Sequence, residues 1–375
     1  MKVLIAPDKF KGSLTALEVC EAIDKGIKST MKEHHTSLFP LADGGEGTAD
    51  ILTFHTHGRT ENIFVRDPLF RPVQASYGIS PDGLTAFMEM AQASGLQLLD
   101  KEDRNCMITS TFGTGEMIRA AALQGVKRIV LGIGGSATND AGMGMAEALG
   151  YAFLDKHGKK LKPTGENLFR IDKIERESVP FDIEDIQVAV ACDVNNPLYG
   201  EQGAAFVYAP QKGANAEEVK LLDHGLQNFA EAVERDLNKQ VADVPGAGAA
   251  GGLGAGALIF LNAVLKSGVE LVFYYTDFEN QLKQTDLVLT GEGKIDDQTI
   301  HGKLIKGICD LAKKHEKPVI AFCGKSDLSE DSYRAIGLKE VHALMNLEIT
   351  EEQAIENASD YLTTLAQRVF TPQNP

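Results

Sequence analysis

The chain has 375 residues, 53 acidic against 37 basic side chains for a net charge of −16, 43% hydrophobic residues, 37 glycines and no tryptophan. At roughly 150 residues per domain this is enough for two or three domains around sizeable cores, and global disorder is excluded. The acidic balance argues against a nucleic acid or an anionic membrane surface as main partner, because phosphate backbones select basic footprints. An anionic small substrate would need a local cluster of Lys, Arg and backbone N–H groups.

Met1-Lys2 leads directly into the apolar run Val3–Ala6, with no small-residue cleavage site behind it, and no apolar stretch is long enough for a membrane span. Five scattered cysteines (Cys20, Cys106, Cys192, Cys309, Cys323) never fall at CxxC spacing. They indicate neither a disulfide framework nor zinc, and suggest a reducing, cytoplasmic home.

The runs Val3–Ala6, Ser37–Leu41, Arg128–Ile133, Leu287–Thr290, Val319–Phe322 and Val341–Met345 are short, apolar or β-branched, and give way to helical patterns. This alternation predicts a doubly wound α/β layer. Leu14–Lys28 reads as its first helix, with Ser13 or Thr15 as N-cap and Glu18 placed for a capping box. In the middle of the chain, Val65–Tyr77 and Leu84–Met90 look like strands joined in hairpins, Ile186–Ala191 like another strand, and Ala216–Asn238 like a long polar helix. The expected organisation is a two-domain α/β protein. A Rossmann-like parallel-sheet domain is assigned to 1–60, 107–145 and 280–375, an inserted α/β domain to 61–106 and 146–279, and the active site to the interdomain cleft.

Five clusters carry candidate chemistry. Asp8-Lys9-Phe10-Lys11-Gly12-Ser13 sits where the first strand ends and a helix begins, a position suited to a carboxylate or phosphate; Ser13 is equally suited to be a simple cap. Asp43-Gly44-Gly45-Glu46-Gly47 presents two carboxylates in a glycine frame, for Mg²⁺, hydroxyls or lysines, or else forms a plain turn. Gly113-Thr114-Gly115 and Gly132-Ile133-Gly134-Gly135-Ser136 offer amides and hydroxyls as a phosphate cradle, as does Gly246–Gly256, whose alternative is a flexible linker. No Walker P-loop or strand-linked GxGxxG is present. Ala191-Cys192-Asp193-Val194-Asn195-Asn196-Pro197 ends a strand with a held aspartate, fit to accept a hydroxyl proton or merely to make an Asx turn. Finally, Thr290-Gly291-Glu292-Gly293-Lys294-Ile295-Asp296, followed by His301 and Lys303, reads as a loop that could hold metal through Glu292 and Asp296 and anions through its lysines.

APDKFKGSL, PLADGGEGT, FGTGE, GIGGSATNDAGMG, ACDVNNPL, PGAGAAGGLGAG and TGEGKIDDQTIHGK together, in this order across nearly the whole chain, resemble the bacterial type I glycerate kinases. The resemblance implies ATP- and Mg²⁺-dependent phosphorylation of D-glycerate, giving 2-phosphoglycerate and ADP in glycerate and glyoxylate catabolism. Two positions depart from the family pattern: Lys9, where many relatives carry Ser, and Cys323-Gly324-Lys325, where a small residue and Gly-Ser are common. The expected catalytic residues are Asp193 as base, Lys11 and Asp8. Ser13, Asp43, Glu46 and Lys294 are expected to bind substrate. Gly113, Thr114, Gly134, Gly135, Ser136, Gly251 and Gly252 are expected to bind ATP, and Glu292 and Asp296 to bind Mg²⁺. A glycerate 3-kinase, a kinase of another hydroxy acid, and a non-catalytic regulator that binds a sugar acid or nucleotide are the alternatives; a homodimer stays open.

Overall fold

The computed structural model describes residues 1–30, 35–177, 183–300, 304–347 and 349–371. The chain divides into two compact units, one made of Met1–Asp43 with Val272–Pro375 and the other of Gly44–Leu271. The first unit opens with strands β1 (Lys2–Ile5) and β2 (His35–Leu38). The second carries β3 (Arg59–Arg66), β4 (Pro72–Ile79), β5 (Thr85–Glu89), β6 (Arg128–Gly132), β7 (Tyr151–Leu154), β8 (Lys173–Arg176), β9 (Gln187–Ala191) and β10 (Val264–Lys266). The first unit is completed by β11 (Leu287–Ile295), β12 (Val319–Ser326) and β13 (Glu340–Ala343).

In the first unit all five strands are parallel, in the order β13-β12-β11-β1-β2. Val3, Leu4, Ile5, Leu289, Phe322 and their neighbours form continuous apolar runs because both faces of such a sheet are covered by helices. β1 pairs Val3 with Leu287 on one side and with Thr36 on the other, so the chain winds away from β1 in two directions. The crevice outside the carboxyl ends of β1 and β11 is therefore a topological switch point, where open α/β sheets bind ligands.

The second unit holds a six-stranded sheet, β10-β9-β6-β5-β4-β3, in which β10, β9, β6 and β5 are parallel and β5, β4 and β3 antiparallel. β7 and β8 form a separate hairpin. Its core gathers Phe153, Phe229 and Phe260 around Leu222, Leu226 and Leu253.

Two expectations are corrected here. Arg128–Gly132 belongs to the second sheet, because β6 is hydrogen-bonded between β5 and β9 rather than beside β1, and residues 44–60 and 107–145 go with it. The apolar run Ala257–Leu265 reads as helix in the sequence, but Val264–Leu265 is strand: the helix Ala249–Phe260, broken by left-handed residues at Ala250, Gly251 and Gly252, gives way at Leu261 before β10.

Candidate active site

The first unit presents its charged residues at the ends of β1 and β11. Helix Ala16–Thr30 begins with Thr15 as cap: the Thr15 N–H and hydroxyl each donate to Glu18 Oε2 at 2.8 Å, and the Glu18 N–H donates back to Thr15 Oγ1. This is a capping box on Thr15. Ser13 is drawn elsewhere, its hydroxyl donating to the Ile355 carbonyl at 2.7 Å, so it neither caps the helix nor presents an idle hydroxyl to a substrate. Lys11 is exposed, and a Cβ placed on Gly293 would meet its backbone nitrogen at 3.3 Å, which sets the Lys11 backbone against β11.

Asp8 is half-buried, its N–H donating to the Gly291 carbonyl at 2.8 Å and its Oδ1 accepting from Lys9 N at 2.7 Å. Burial, and then the carboxylates of Asp43 and Glu292, push its pKa up to about 7, against the pull of Lys9. Burial, with the charges of Asp43 and Glu292 adding to it, thus favours the protonated form of Asp8 near neutral pH.

Glu292, Gly293, Lys294 and Ile295 were expected in a loop, but they continue β11, with Lys294 opposite Lys325 and Ile295 opposite Ser326. Glycine on both strands permits it, since a Cβ on Gly291 would lie 2.1 Å from the Phe322 carbonyl oxygen and one on Gly324 2.6 Å from that of Gly293. At the end of this ribbon, Thr299 Oγ1 donates to Glu292 Oε1 at 2.6 Å and accepts from Asp296 N at 3.1 Å, which joins the two expected metal ligands through one hydroxyl. Lys294 is paired with Asp327 at 2.8 Å and Asp296 at 3.2 Å. Those carboxylates raise its pKa, Asp327 foremost, and leave it less available to a substrate. His301 and Lys303 lie outside the described residues.

The second unit gathers another group at the ends of its parallel strands. Asp193 follows β9 and is exposed, and its Oδ1 accepts the Gly268 N–H at 3.1 Å. Gly268 is packed against Gly44 so tightly that a Cβ on Gly44 would lie 2.4 Å from the Gly268 Cα. Gly44–Gly47 also approaches the loop after β6, with Gly45 Cα 3.9 Å from where a Gly134 Cβ would be. The loop carrying exposed Glu46, the exposed glycines Gly134 and Gly135, and the aspartate after β9 are therefore neighbours.

Several residues expected to meet the nucleotide make packing contacts. Gly113 and Thr114 lie in the first turn of helix Phe112–Leu123 and are buried; a Cβ on Gly113 would strike the Arg66 carbonyl oxygen at 1.8 Å, and Thr114 Oγ1 is bonded to Ser94 Oγ at 2.8 Å. Gly251 and Gly252 have φ of +71° and +86°, and a Cβ on Gly251 would lie 2.0 Å from the Thr138 carbonyl oxygen. They are glycine so that the chain can turn left-handed against the 138–141 segment. Asp140 is fully buried, accepting from Thr111 N and Oγ1, Gly142 N and Gly144 N, and clamps the same segment. Burial raises its pKa against the effect of those hydrogen bonds.

Two residues absent from the sequence reading complete the group. Glu89 ends β5, is 7% exposed, and accepts the Ala49 N–H at 2.9 Å in the first turn of helix Thr48–His55; it anchors the helix that follows the Gly44–Gly47 loop. The signal was present, since a carboxylate closing an apolar strand is the pattern that marked Asp193. Lys212, 2% exposed, donates to Ser136 Oγ and to the Thr138 carbonyl. Nothing local in Pro210-Gln211-Lys212-Gly213 announces it.

A family model described as the glycerate kinase family matches residues 3–373. The chain is 43% identical over 367 residues to a glycerate kinase of Halalkalibacterium halodurans, covering 98% of this chain and 97% of the relative. It is 42% identical over 369 residues to the glycerate 2-kinase of Escherichia coli, with the same coverage of 98% and 97%. A crystal structure of a protein assigned as glycerate kinase 2 in Salmonella typhimurium LT2 superposes with a TM-score of 0.88 at 42% identity, covering 99% of this chain and 97% of the other. With a family model spanning nearly its whole length and full-length relatives above two-fifths identity, the chain belongs to the glycerate kinase family.

Proposed function

We propose that the protein transfers the γ-phosphoryl group of ATP to the 2-hydroxyl of D-glycerate, giving 2-phosphoglycerate and ADP. The observation that carries the reading is Asp193, exposed at the end of β9 and oriented by the Gly268 N–H. Its carboxylate takes the proton of the 2-hydroxyl as that oxygen bonds to the γ-phosphorus and the bond from phosphorus to the β,γ-bridging oxygen breaks. Lys11 supplies an ammonium for the glycerate carboxylate near the start of helix Ala16–Thr30, where the dipole adds to its field. Glu46 orients a substrate hydroxyl. The exposed backbone of Gly134 and Gly135, with the Ser136 hydroxyl, receives phosphate oxygens.

The donor chemistry of the first unit fits Mg²⁺. Among the described residues no three His, Cys, Asp or Glu side chains form a ready-made metal group, but Mg²⁺ is commonly held by one or two carboxylates together with substrate phosphates. Asp8, Asp43 and Glu292 would supply the oxygen ligands, and a divalent cation there would relieve the repulsion that Asp43 and Glu292 exert on Asp8. Asp296, the other expected ligand, has its carboxylate against Lys294 and is the weaker candidate. Bound Mg²⁺ supplies charge neutralisation for the transferring phosphoryl group.

Among the described residues no helix is long and apolar enough to cross a membrane, and the five cysteines are free thiols, which supports a cytoplasmic setting for the reaction. A coupled ADP-release assay with D-glycerate tests the activity, and phosphorus NMR of the product tests the position of transfer. Asp193→Asn is expected to lower kcat by roughly 10²–10⁴ with little change in the KM for ATP. A kcat within a fewfold of wild type removes Asp193 as the base, a 3-phosphate product removes the proposed regiochemistry, and nucleotide binding without turnover on any hydroxy acid favours a regulator.

A further inference from the structure

Lys212 closes the turn Pro210–Lys212 with its side chain buried, and both acceptors of its ammonium belong to one loop: Ser136 Oγ at 2.7 Å and the Thr138 carbonyl at 2.8 Å. A buried ammonium is costly unless its protons are matched, and desolvation lowers the Lys212 pKa to about 8 against the upward pull of Cys106 and Asp140. The loop is also held through its backbone, the Gly135 carbonyl accepting from Leu96 N at 2.8 Å, the Ala137 N–H donating to the Ser94 carbonyl at 2.9 Å and the Ala137 carbonyl accepting from Thr109 Oγ1 at 2.8 Å. At the start of the loop so held, Gly134 and Gly135 are exposed.

The direction of the Ser136 bond matters. An ammonium can only donate, so Ser136 Oγ must accept from Lys212, and the hydroxyl proton is left to donate to something else. We propose that Lys212 is a positioning residue for phosphoryl transfer: it fixes the 134–138 loop from beneath and commits the Ser136 hydroxyl to donating toward a phosphate oxygen of the nucleotide. This rests on the reading that Gly134, Gly135 and Ser136 meet ATP. Neutral side chains of similar length fill the same space without imposing that polarity, which separates positioning from packing.

The test is steady-state kinetics with both substrates on Lys212→Met, Ser136→Ala, the double variant and Gly134→Val, each checked for folding by circular dichroism and thermal melting. Lys212→Met is expected to raise the KM for ATP about ten- to a hundredfold while the KM for glycerate stays within about threefold. Ser136→Ala shifts the same constant, and adding it to Lys212→Met makes matters no worse, because the hydroxyl acts through the lysine. Effects that multiply in the double variant overturn the relay, and a lower melting temperature with unchanged kinetics of the folded enzyme makes Lys212 merely structural. Should Lys212→Met fail to fold, Ser136→Ala still decides: an unchanged KM for ATP sinks the proposal. Gly134→Val addresses the underlying reading separately, since its Cβ position meets only Gly45 Cα at 3.9 Å. If this added bulk leaves the KM for ATP untouched, the loop does not bind nucleotide and the inference falls with it.

Discussion

Asp8→Asn offers a direct measure of the electrostatics at the end of β1. The asparagine keeps an oxygen to accept the Lys9 N–H that Asp8 Oδ1 accepts at 2.7 Å, while removing the charge that burial, Asp43 and Glu292 oppose. Below the unfolded value of 3.8 the wild-type carboxyl is protonated whether the chain is folded or not, and costs nothing. As pH rises toward the folded value of about 7, only the unfolded chain ionises it, so stability is progressively lost, and above that value the loss is complete. At about 1.36 kcal/mol per unit, the penalty amounts to ~4 kcal/mol at pH 8 and ~2 kcal/mol at pH 5. The asparagine variant carries no such penalty, so its advantage over wild type should widen by roughly 2–3 kcal/mol between those pH values. Urea unfolding at both pH values reads the difference, and carbon-13 NMR of labelled aspartate, with the variant identifying the Asp8 signal, reads the titration itself. Millimolar Mg²⁺ should flatten the wild-type pH dependence and leave the variant unaffected. A carboxyl that titrates near 4, or an advantage that does not change with pH, would refute the reasoning.

Gly251→Ala places a methyl group 2.0 Å from the Thr138 carbonyl oxygen at a positive φ, and is expected to cost about 3 kcal/mol or more and to lower the melting temperature by roughly 5–10 °C. Glu89→Ala strips a buried N–H of its acceptor and should cost about 1–3 kcal/mol in urea unfolding, whereas Glu89→Gln, which keeps an oxygen for Ala49 N, should cost under about 1 kcal/mol; equal losses would mean that the hydrogen bond is not what matters. Thr15→Ala removes the cap of helix Ala16–Thr30 and is expected to cost about 1 kcal/mol, read by urea midpoint, while Ser13→Ala should disturb only the bond to Ile355.

What the sequence disclosed follows from how local each signal is. β1, β11 and β12 were legible because Val3–Ile5, Leu287–Leu289 and Val319–Phe322 are unbroken apolar runs bounded by turn residues, whereas the strand expected at Ser37–Leu41 lies at His35–Leu38, where the residues are mostly polar; of the two caps expected, Ser13 and Thr15, the one used is Thr15, whose partner lies three residues on. Membership of a sheet was not, since β6 looks like any buried parallel strand and only its partners β5 and β9 assign it to the second unit. The glycine motifs showed the same ambiguity. A glycine that admits a ligand and one that admits another backbone are alike in sequence, so Gly134 and Gly135 proved exposed while Gly113 and Gly251 proved to be contacts. Lys212 escaped because the residues it serves lie more than seventy positions earlier, beyond any spacing rule.

The contact between Gly44 and Gly268 bears on how the polypeptide is made. The span 44–271 is contiguous, and its two ends pass each other at van der Waals distance, so it can close on itself as soon as it leaves the ribosome. β1 has no such option: it lies between β2 and β11, and its second neighbour is translated some 280 residues later. A central strand of the first sheet therefore waits, with one edge unpaired, through most of synthesis, which makes the first forty residues the stretch where a chaperone would be of most use and where added hydrophobicity would most readily lead to aggregation.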